Sequence, residues 1–384
     1  MVVSGAQSSA GHLLALIRTG AAVTRGELQQ ATGLSRSTVG HRLDQLFAAG
    51  WIRETSTGPS TGGRPSVHLE FDAGHAVVLA ADLGTRHARA AVLDLAGQVL
   101  AERTGPLRIT DGPEPVLDEL GGWFAGLVAE SGRDAAEVCG IGLSVPGPVE
   151  WESGRIVQPP IMPGWDRFPV RERLREAFRS REPGAAGDIP VLVDNDANLM
   201  AYAEQRAGHP DCGAFVLVKA STGIGAGDIG HVRLHDSAEA LCACGSYGCL
   251  AAVASGGAMA RRLTELGVPA ASGSDVRALL AAGQPDAVRL ARQAGMRVGE
   301  VLATVVTLLN PGVLMIAGDL AGTPFVTGVR EVLYQRAMPR TTAHLEVVTS
   351  RLGEQAGLAG AAAMVVEHLY APDVATARLA DIAA

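Results

Sequence analysis

The sequence is poor in several residue types, and two kinds of segment are missing. Aromatic residues make up only 4% of the 384 residues, so small residues must supply much of the close packing. Lysine occurs once, at Lys219, against 31 arginines, a bias that we attribute to a GC-rich coding sequence rather than to chemistry. Residues 1–20 lack an uninterrupted apolar core with a cleavage site, which argues against a secretory signal. The longest apolar stretch, Val301–Ala317, is broken by Asn310-Pro311-Gly312, which argues against a transmembrane helix. We therefore expect a cytoplasmic protein without a membrane partner.

Length and charge indicate more than one domain. A chain of 39.5 kDa is too long for one ordinary domain and predicts two or three. Residues 1–70 contain six arginines and four acidic residues, a net charge of +2. The whole chain has a net charge of −8, so the remaining residues carry −10. A slightly basic head on an acidic body is expected if only the head meets nucleic acid.

Three of the five cysteines lie within eight residues, which in a cytoplasmic chain indicates a metal site rather than disulfides. The predicted ligands are His231, Cys242, Cys244 and Cys249. One imidazole and three thiolates can close a tetrahedral Zn²⁺ site, and Gly245 and Gly248 let the chain turn back toward the ion. The alternatives are three buried free cysteines or a catalytic thiol, for which no cysteine has an obvious paired base. Four protein ligands leave no open position, so we predict a structural zinc.

The head, residues 10–70, is predicted to be a winged helix-turn-helix. Its pattern consists of helices at His12–Arg18, at Thr24–Thr32 and after Ser35, then strands at Trp51–Glu54 and Val67–Phe71. In this layout the third helix enters the major groove of DNA, and the small loop between the strands, with one arginine, suits a narrow A·T minor groove. The candidate DNA-binding residues are Arg36, Ser37, Thr38, His41 and Arg42 on the helix and Arg64 in the loop. The alternative is a small helical interaction or dimerisation module.

In the body, polar loops follow buried strands, where α/β folds place ligands. The predicted strands are Val77–Asp82, Ala88–Asp94, Val138–Val145, Val191–Val193, Ala214–Lys219 and Val313–Ala317. The predicted helices are Glu114–Ser131, Val170–Arg179, Asn198–Arg206, Pro285–Asn310 and Gly353–Leu369. Two interpretations stay open at this stage. Trp165 either lines a cleft or holds a loop in place, and the helix at Pro285–Asn310 serves either a dimer contact or the core.

Several of these motifs together resemble the ROK family of sugar-responsive repressors and sugar kinases. The resemblance rests on Gly142–Val149, Asp194–Asn198, Ser221–Gly227, Gly230-His231 and the three clustered cysteines. It covers nearly the whole chain and implies an α/β fold: the winged helix-turn-helix followed by a two-lobed, actin-like or ribonuclease-H-like body with sugar in the cleft. The implied divisions are a head at 1–71, a first lobe at 72–194 completed by a C-terminal helix at about 353–371, and a second lobe with the zinc site at 195–352.

The resemblance also implies which residues bind the sugar. Asn195 resembles the family's sugar-hydroxyl ligand, and Asp196 resembles the base that deprotonates the sugar hydroxyl in kinase members. In a protein without catalysis the same carboxylate would still accept sugar hydroxyl protons. His231 resembles the histidine that binds zinc and faces the sugar, and Asp228 stands where the family usually has glutamate. Asp194 and Asp196 could instead be loop-capping acids.

Departures from the family pattern separate regulator from kinase. Thr85 and Arg86 replace the glycine and threonine of the first phosphate loop, and Asp319 stands where a glycine pair meets the nucleotide. Ala251 replaces a sugar-binding glutamate, and Gly227 runs directly into Asp228 without the usual hairpin. The Ser221–Gly227 loop is better preserved, and it is either a residual phosphate loop or a tight turn kept for packing. These changes argue against ATP and Mg²⁺ as cofactors.

The leading hypothesis is therefore a transcriptional regulator, most simply a repressor, that binds operator DNA as a homodimer or homotetramer and responds to a sugar or sugar derivative. A second hypothesis is an ATP-dependent sugar kinase that also binds DNA, with Asp196 as its catalytic base. A third is an architectural DNA-binding protein that needs no ligand. The presence of Asn195 and Asp196 argues against the third hypothesis, and the altered nucleotide loops argue against the second.

Overall fold

The computed structural model describes residues 9–55, 67–226 and 229–382. The head consists of α1 (Ala10–Arg18), α2 (Arg25–Thr32), α3 (Arg36–Ala48), β1 (Ile52–Thr55) and β2 (His68–Phe71). The two strands are antiparallel, with Ile52 opposite Phe71. The predicted order of three helices followed by a two-stranded wing is confirmed.

Side-chain caps set where the helices of the head begin. The Thr24 hydroxyl accepts a hydrogen bond from the Glu27 N–H, and the Glu27 carboxylate accepts one from the Thr24 N–H, which is the predicted capping box. The Ser35 hydroxyl accepts from the Thr38 N–H at 3.1 Å and begins α3. The face of α3 that turns inward buries Val39, Leu43 and Leu46. The opposite face is thereby left at the surface of the head.

The first lobe has a five-stranded mixed sheet. Its strands are β3 (Val77–Leu83), β4 (His87–Asp94), β5 (Val99–Pro106), β6 (Val138–Val145) and β9 (Val191–Asn195), and a short hairpin follows β6, formed by β7 (Val149–Glu150) and β8 (Arg155–Ile156). The spatial order is β5-β4-β3-β6-β9, with β3, β6 and β9 parallel. One face is covered by α4 (Pro113–Ser131) and α5 (Val170–Arg179). In the same core, Trp165 is fully buried and its indole N–H donates to the Ile109 carbonyl oxygen at 2.9 Å, so Trp165 holds a loop in place.

The second lobe has a four-stranded sheet and most of the remaining helices. Its strands are β10 (Phe215–Ala220), β11 (Ile224–Gly225), β12 (Val313–Ala317) and β13 (Glu346–Thr349), in the order β11-β10-β12-β13. Its helices are α6 (Asp196–Gly208), α7 (Leu250–Ala254), α8 (Gly256–Glu265), α9 (Gly273–Ala281), α10 (Pro285–Leu309), α11 (Thr323–Arg336) and α12 (Pro339–Thr342). Gly295 and Gly299 bring the α10 backbone against Phe325 and Val329 of α11, so α10 is a core helix. No helix in the described ranges, α10 included, combines the length and the apolarity needed to cross a membrane.

Two C-terminal helices return the chain to the first lobe and then to the head. Helix α13 (Ala356–Tyr370) packs on the face of the five-stranded sheet opposite α4 and α5, and α14 (Pro372–Ile382) packs against α1. The contact is close, because a side chain at Gly11 would collide with the Pro372 carbonyl oxygen. The core of the head and the core beneath α13 are continuous. Nothing in the sequence pattern had indicated α14.

Candidate functional site

The carboxyl ends of three neighbouring strands place polar residues side by side. Asp82 on β3 lies next to Ser144 on β6, which lies next to Asp194 on β9. The Ser144 hydroxyl donates to Asp82 Oδ1 at 2.5 Å. Gly357, in the first turn of α13, lies so close to Asp82 that any side chain there would meet the carboxylate. The position of Asp82 is thus fixed from two sides.

The turn after β9 orients Asn195 through several hydrogen bonds. Asp194 Oδ1 accepts from the Asn195 N–H at 2.6 Å and from Asn198 Nδ2 at 3.0 Å, so Asp194 stabilises the turn. Asn195 caps α6 through its Oδ1, which accepts from the Ala197 N–H, and its Nδ2 donates to the Gly147 carbonyl oxygen at 3.0 Å. An amide offers two N–H groups and two lone pairs. Asn195 therefore keeps one N–H and one lone pair for a ligand.

Asp196, the first residue of α6, forms an ion pair that the sequence did not predict. Lys219 Nζ on β10 lies 2.5 Å from Asp196 Oδ2. Burial alone would lower the pKa of Lys219, but the charges of Asp196, Asp82 and Asp319 outweigh it and raise the pKa. Whatever the origin of the bias toward arginine, the single lysine pairs with Asp196 and lies within the electrostatic influence of Asp82 and Asp319.

The glycine loop after β10 is held in place by backbone contacts with α8. The Gly256 N–H donates to the Ser221 carbonyl oxygen at 2.7 Å, and the Gly257 N–H donates to the Thr222 carbonyl oxygen at 3.1 Å. The Ser221 hydroxyl accepts from the Asp319 N–H at 3.1 Å. N–H groups at a helix N-terminus are those that would bind phosphate. The protein's own loop uses two of them here, which favours the packing interpretation of Ser221–Gly225.

A chain of ion pairs bridges the two lobes. Arg89 on β4 pairs with Glu354 at 2.8 Å, and Glu354 pairs with Arg277 on α9 at 2.9 Å. Arg277 Nε in turn lies 3.8 Å from Asp319 Oδ1. The hydrogen bond from Arg277 is the main reason that the pKa of Glu354 is lowered. The negative charge of Asp319 is thus directed toward an arginine of its own chain.

The predicted metal ligands come together. The ligand atoms of His231, Cys242, Cys244 and Cys249 all lie within 4.8 Å of one another. The Cys244 and Cys249 sulfurs are 3.8 Å apart, and Cys242 Sγ is 3.7 Å from His231 Nδ1. Thiolates that share a tetrahedral Zn²⁺ with bonds of about 2.3 Å lie about 3.8 Å apart. Gly245 and Gly248, with φ of 83° and 76°, make the predicted reversals of the chain. The four side chains fit a metal ion.

The short 3₁₀ turn that ends at His231, Ile229–His231, packs against β11. Gly225 of β11 lies opposite Lys219 of β10, so this turn neighbours the hairpin that carries Lys219. Asp228, the fourth residue predicted to bind sugar, lies outside the described residues. Asn195, Asp196 and Lys219 lie where the strand ends of the two sheets come together.

On the head, the predicted DNA-binding residues follow one side of α3. Arg36, Ser37 and His41 are exposed, whereas Thr38 and Arg42 are half-buried. The Ser35 hydroxyl lies 2.9 Å from the Ser37 hydroxyl and 2.8 Å from the Thr38 hydroxyl. Arg42 is turned along the helix, where its Nη1 donates to Gln45. Arg64 lies outside the described residues.

An aromatic cluster joins the head to the C-terminal helices. Tyr370, the fully buried last residue of α13, contacts Trp51 and Phe71 of the head edge to face. Its hydroxyl lies 2.7 Å from His75 Nε2. The guanidinium groups of Arg18 and Arg378 lie over its ring, at 5.6 and 5.0 Å from the centroid. Burial lowers the pKa of His75, which keeps the cluster free of a further positive charge.

Comparison with known proteins gives the same organisation. The ROK family model matches residues 78–368. The xylose repressor of Caldicellulosiruptor bescii is 26% identical, and the alignment covers 90% of this chain and 92% of the repressor. A crystal structure of a ROK family transcriptional regulator, a homologue of the E. coli MLC protein, has a TM-score of 0.79 and 25% identity, covering 98% of this chain and 99% of that one. The crystal structure of a ROK hexokinase from Thermus thermophilus is 30% identical with a TM-score of 0.58, covering 77% of this chain and 99% of the hexokinase.

Proposed function

This chain belongs to the ROK family, and from that premise we propose that it is a sugar-responsive transcriptional repressor. The observation that carries the proposal is the combination of a winged helix-turn-helix with a two-lobed body whose facing edges hold Asn195 and Asp196. A repressor and a transcriptional regulator are similar over nearly the whole chain, head included. Sugar then controls DNA binding if the DNA-binding geometry of the head depends on whether the cleft is occupied.

We assign the operator contacts to the exposed side of α3, with Arg36, Ser37 and His41 at its centre. Thr38 and Arg42 lie at the margin of this surface, and Arg64 would extend it from the wing. Two-fold symmetric operators require two heads at a fixed spacing, so the active form is a homodimer or a homotetramer.

Arg36→Ala tests this surface. DNA selected from a random double-stranded library with the intact protein supplies the operator. We expect the variant to bind it about 10- to 100-fold more weakly, the loss expected when a base or phosphate contact of Arg is removed. Fluorescence anisotropy at several salt concentrations measures both the affinity and the number of phosphate contacts.

Arg262→Ala is the matched control, because Arg262 lies on α8 of the second lobe and, among the described residues, forms an ion pair only with Glu265 at the surface. It removes the same charge at a distance from the head and should leave operator affinity unchanged. Equal losses in the two variants would place the DNA contact elsewhere.

We place the sugar against Asn195, Asp196 and His231, with Asp228 completing the site. A Zn²⁺ ion on His231 and the three clustered cysteines would be structural, because four protein ligands leave no position for a substrate. Binding of His231 to the ion through one nitrogen would fix the orientation of the ring beside the sugar. Asn195, Asp196 and His231 would then offer hydrogen-bond donors and acceptors in defined directions.

A sugar kinase is the second candidate, favoured by the similarity to the Thermus thermophilus hexokinase. Calorimetry with Mg·ATP, with and without pooled hexoses, pentoses and N-acetylhexosamines, separates the two. We expect no heat of ATP binding, because N–H groups of α8 already donate to the loop at Ser221, and Asp319 places a negative charge beside that loop. We expect heat from sugar alone. ATP binding that strengthens with sugar would instead support the kinase.

A further inference from the structure

Lys219, the chain's one lysine, occupies the point where both lobes contribute acidic residues. Its ammonium lies 2.5 Å from Asp196, and the charges of Asp82 at the end of β3 and Asp319 after β12 also act on it. The side chain is 21% exposed. Lys219 is therefore held in a mainly negative environment, and no other ammonium side chain exists in the sequence to take its place.

The ion pair uses only one side of the Asp196 carboxylate. Lys219 takes Oδ2, whereas no described residue donates a hydrogen bond to Oδ1. The Asp196 side chain is 12% exposed, so it is neither sealed in the core nor freely hydrated. A sugar hydroxyl that donates to Oδ1 would complete the hydrogen bonding of this carboxylate without breaking the ion pair.

The contact with Lys219 fixes the direction of the Asp196 carboxylate. The ammonium lies 2.5 Å from Oδ2 and holds that oxygen, which leaves Oδ1 to accept a further hydrogen bond. Hydrogen bonds to a charged acceptor are stronger than those between neutral groups. The pair with Lys219 thus suits the binding of a sugar hydroxyl in a defined direction.

Resting on the function proposed above, we propose that Lys219 is a positioning residue of the sugar site, which orients Asp196 as a hydrogen-bond acceptor for an uncharged sugar. Without the ammonium, Oδ2 loses its partner and the carboxylate is free to turn away from the sugar. Sugar binding would then become weaker.

Lys219→Met tests the proposal, because methionine keeps most of the side-chain length and removes the charge. The probes are D-xylose, D-glucose and N-acetyl-D-glucosamine, titrated by calorimetry. We expect the wild type to bind one of them. The variant should bind that sugar about tenfold more weakly, the loss expected when a hydrogen bond to a charged acceptor is misplaced. Lys219→Arg retains a positive charge that can hold Asp196 and should restore most of the affinity, which a role in packing alone would not explain.

The single lysine provides a second measurement in the wild type. Protein labelled with ¹³Cε-lysine gives one lysine signal, and this signal should shift when the bound sugar saturates the cleft. This measurement uses the wild type and therefore does not depend on whether a variant folds. Equal sugar affinity in Lys219→Met and the wild type, or a lysine signal that does not change when sugar binds, would overturn the role of Lys219. Absence of sugar binding by the wild type would overturn the proposed function itself.

Discussion

Replacing Cys242 with serine is expected to yield a protein that contains no zinc, binds operator DNA and no longer responds to sugar. The ligand atoms of the four residues lie within 4.8 Å of one another, so each ligand is needed to complete the tetrahedron. A neutral hydroxyl is a far poorer zinc ligand than a thiolate. We therefore expect zinc affinity to fall more than about 100-fold, because losing even a residue that only hydrogen-bonds to a metal ligand lowers affinity by about 10- to 100-fold.

The metal matters for the sugar response because the loop has no core of its own. Leu241 and Tyr247, which face each other across the loop, are 60% and 56% exposed. Its backbone is held by turn hydrogen bonds and two isolated bridges rather than by a continuous strand or helix. Without the ion, the loop loses the metal-binding energy that keeps it ordered. His231 then loses its fixed position beside β11.

Cys212→Ser is the matched control for this experiment. Cys212 lies outside the cluster, and its thiol donates to the Ala214 carbonyl oxygen, a hydrogen bond that serine can keep. Metal analysis of the purified proteins should give one zinc per chain for the wild type and Cys212→Ser and none for Cys242→Ser. Sugar-dependent release of DNA by a zinc-free Cys242→Ser protein would show that zinc does not support the sugar site.

The parts of the molecule that the sequence predicted are those set by neighbouring residues. Thr24 and Glu27 are three positions apart, and their capping box follows from that spacing. The cysteine cluster is similarly local, and two glycines mark its reversals. Six strands of the two lobes, β3, β4, β6, β9, β10 and β12, were also recognisable, because each is mainly an apolar run that ends in a polar loop. The largely exposed edge strand β5 and the short strands β7, β8, β11 and β13 were not predicted.

The parts that the sequence could not predict depend on residues far apart in the chain. Lys219 meets Asp196 across 23 positions, and Glu354 meets Arg277 across 77. The hydrogen bond between His75 and Tyr370 spans 295 positions. Lys219 carried one recognisable signal, since a lone lysine on a buried strand before a glycine loop needs a nearby acid. Helix α14 carried none, because its packing partner α1 lies at the other end of the chain.

Helix α13 connects the cleft to the head by a direct path. Its first turn contacts Asp82 through Gly357, its middle packs on α6 where Gly360 meets Leu199, and its last residue is Tyr370. A helix of 15 residues is about 22 Å long and moves as one body. A change at the lobe edge that shifts its first turn is therefore carried to the aromatic cluster of the head.

Tyr370→Ala is expected to destabilise the protein by about 3–5 kcal/mol, the cost of removing a large buried aromatic ring, and to abolish the effect of sugar on DNA affinity. The ring is the common contact of Trp51, Phe71 and the two arginines, so its loss removes the aromatic contact that links the head to the end of α13. Tyr370→Phe keeps the ring and loses the hydrogen bond to His75, which should cost only about 1 kcal/mol and preserve the sugar response. Urea unfolding followed by circular dichroism and operator titrations with and without sugar measure the two effects.

Phe178→Ala separates lost stability from lost coupling. Phe178 is fully buried in the core of the first lobe, on the sheet face opposite α13, and packs against Phe124. Its removal should cost a similar amount of stability while leaving the sugar response intact. Because coupling between sites is reciprocal, DNA should also weaken sugar binding in Phe178→Ala and not in Tyr370→Ala. A full sugar response in Tyr370→Ala, or its equal loss in both variants, would mean that α13 does not transmit the signal and that the head senses the cleft by another route.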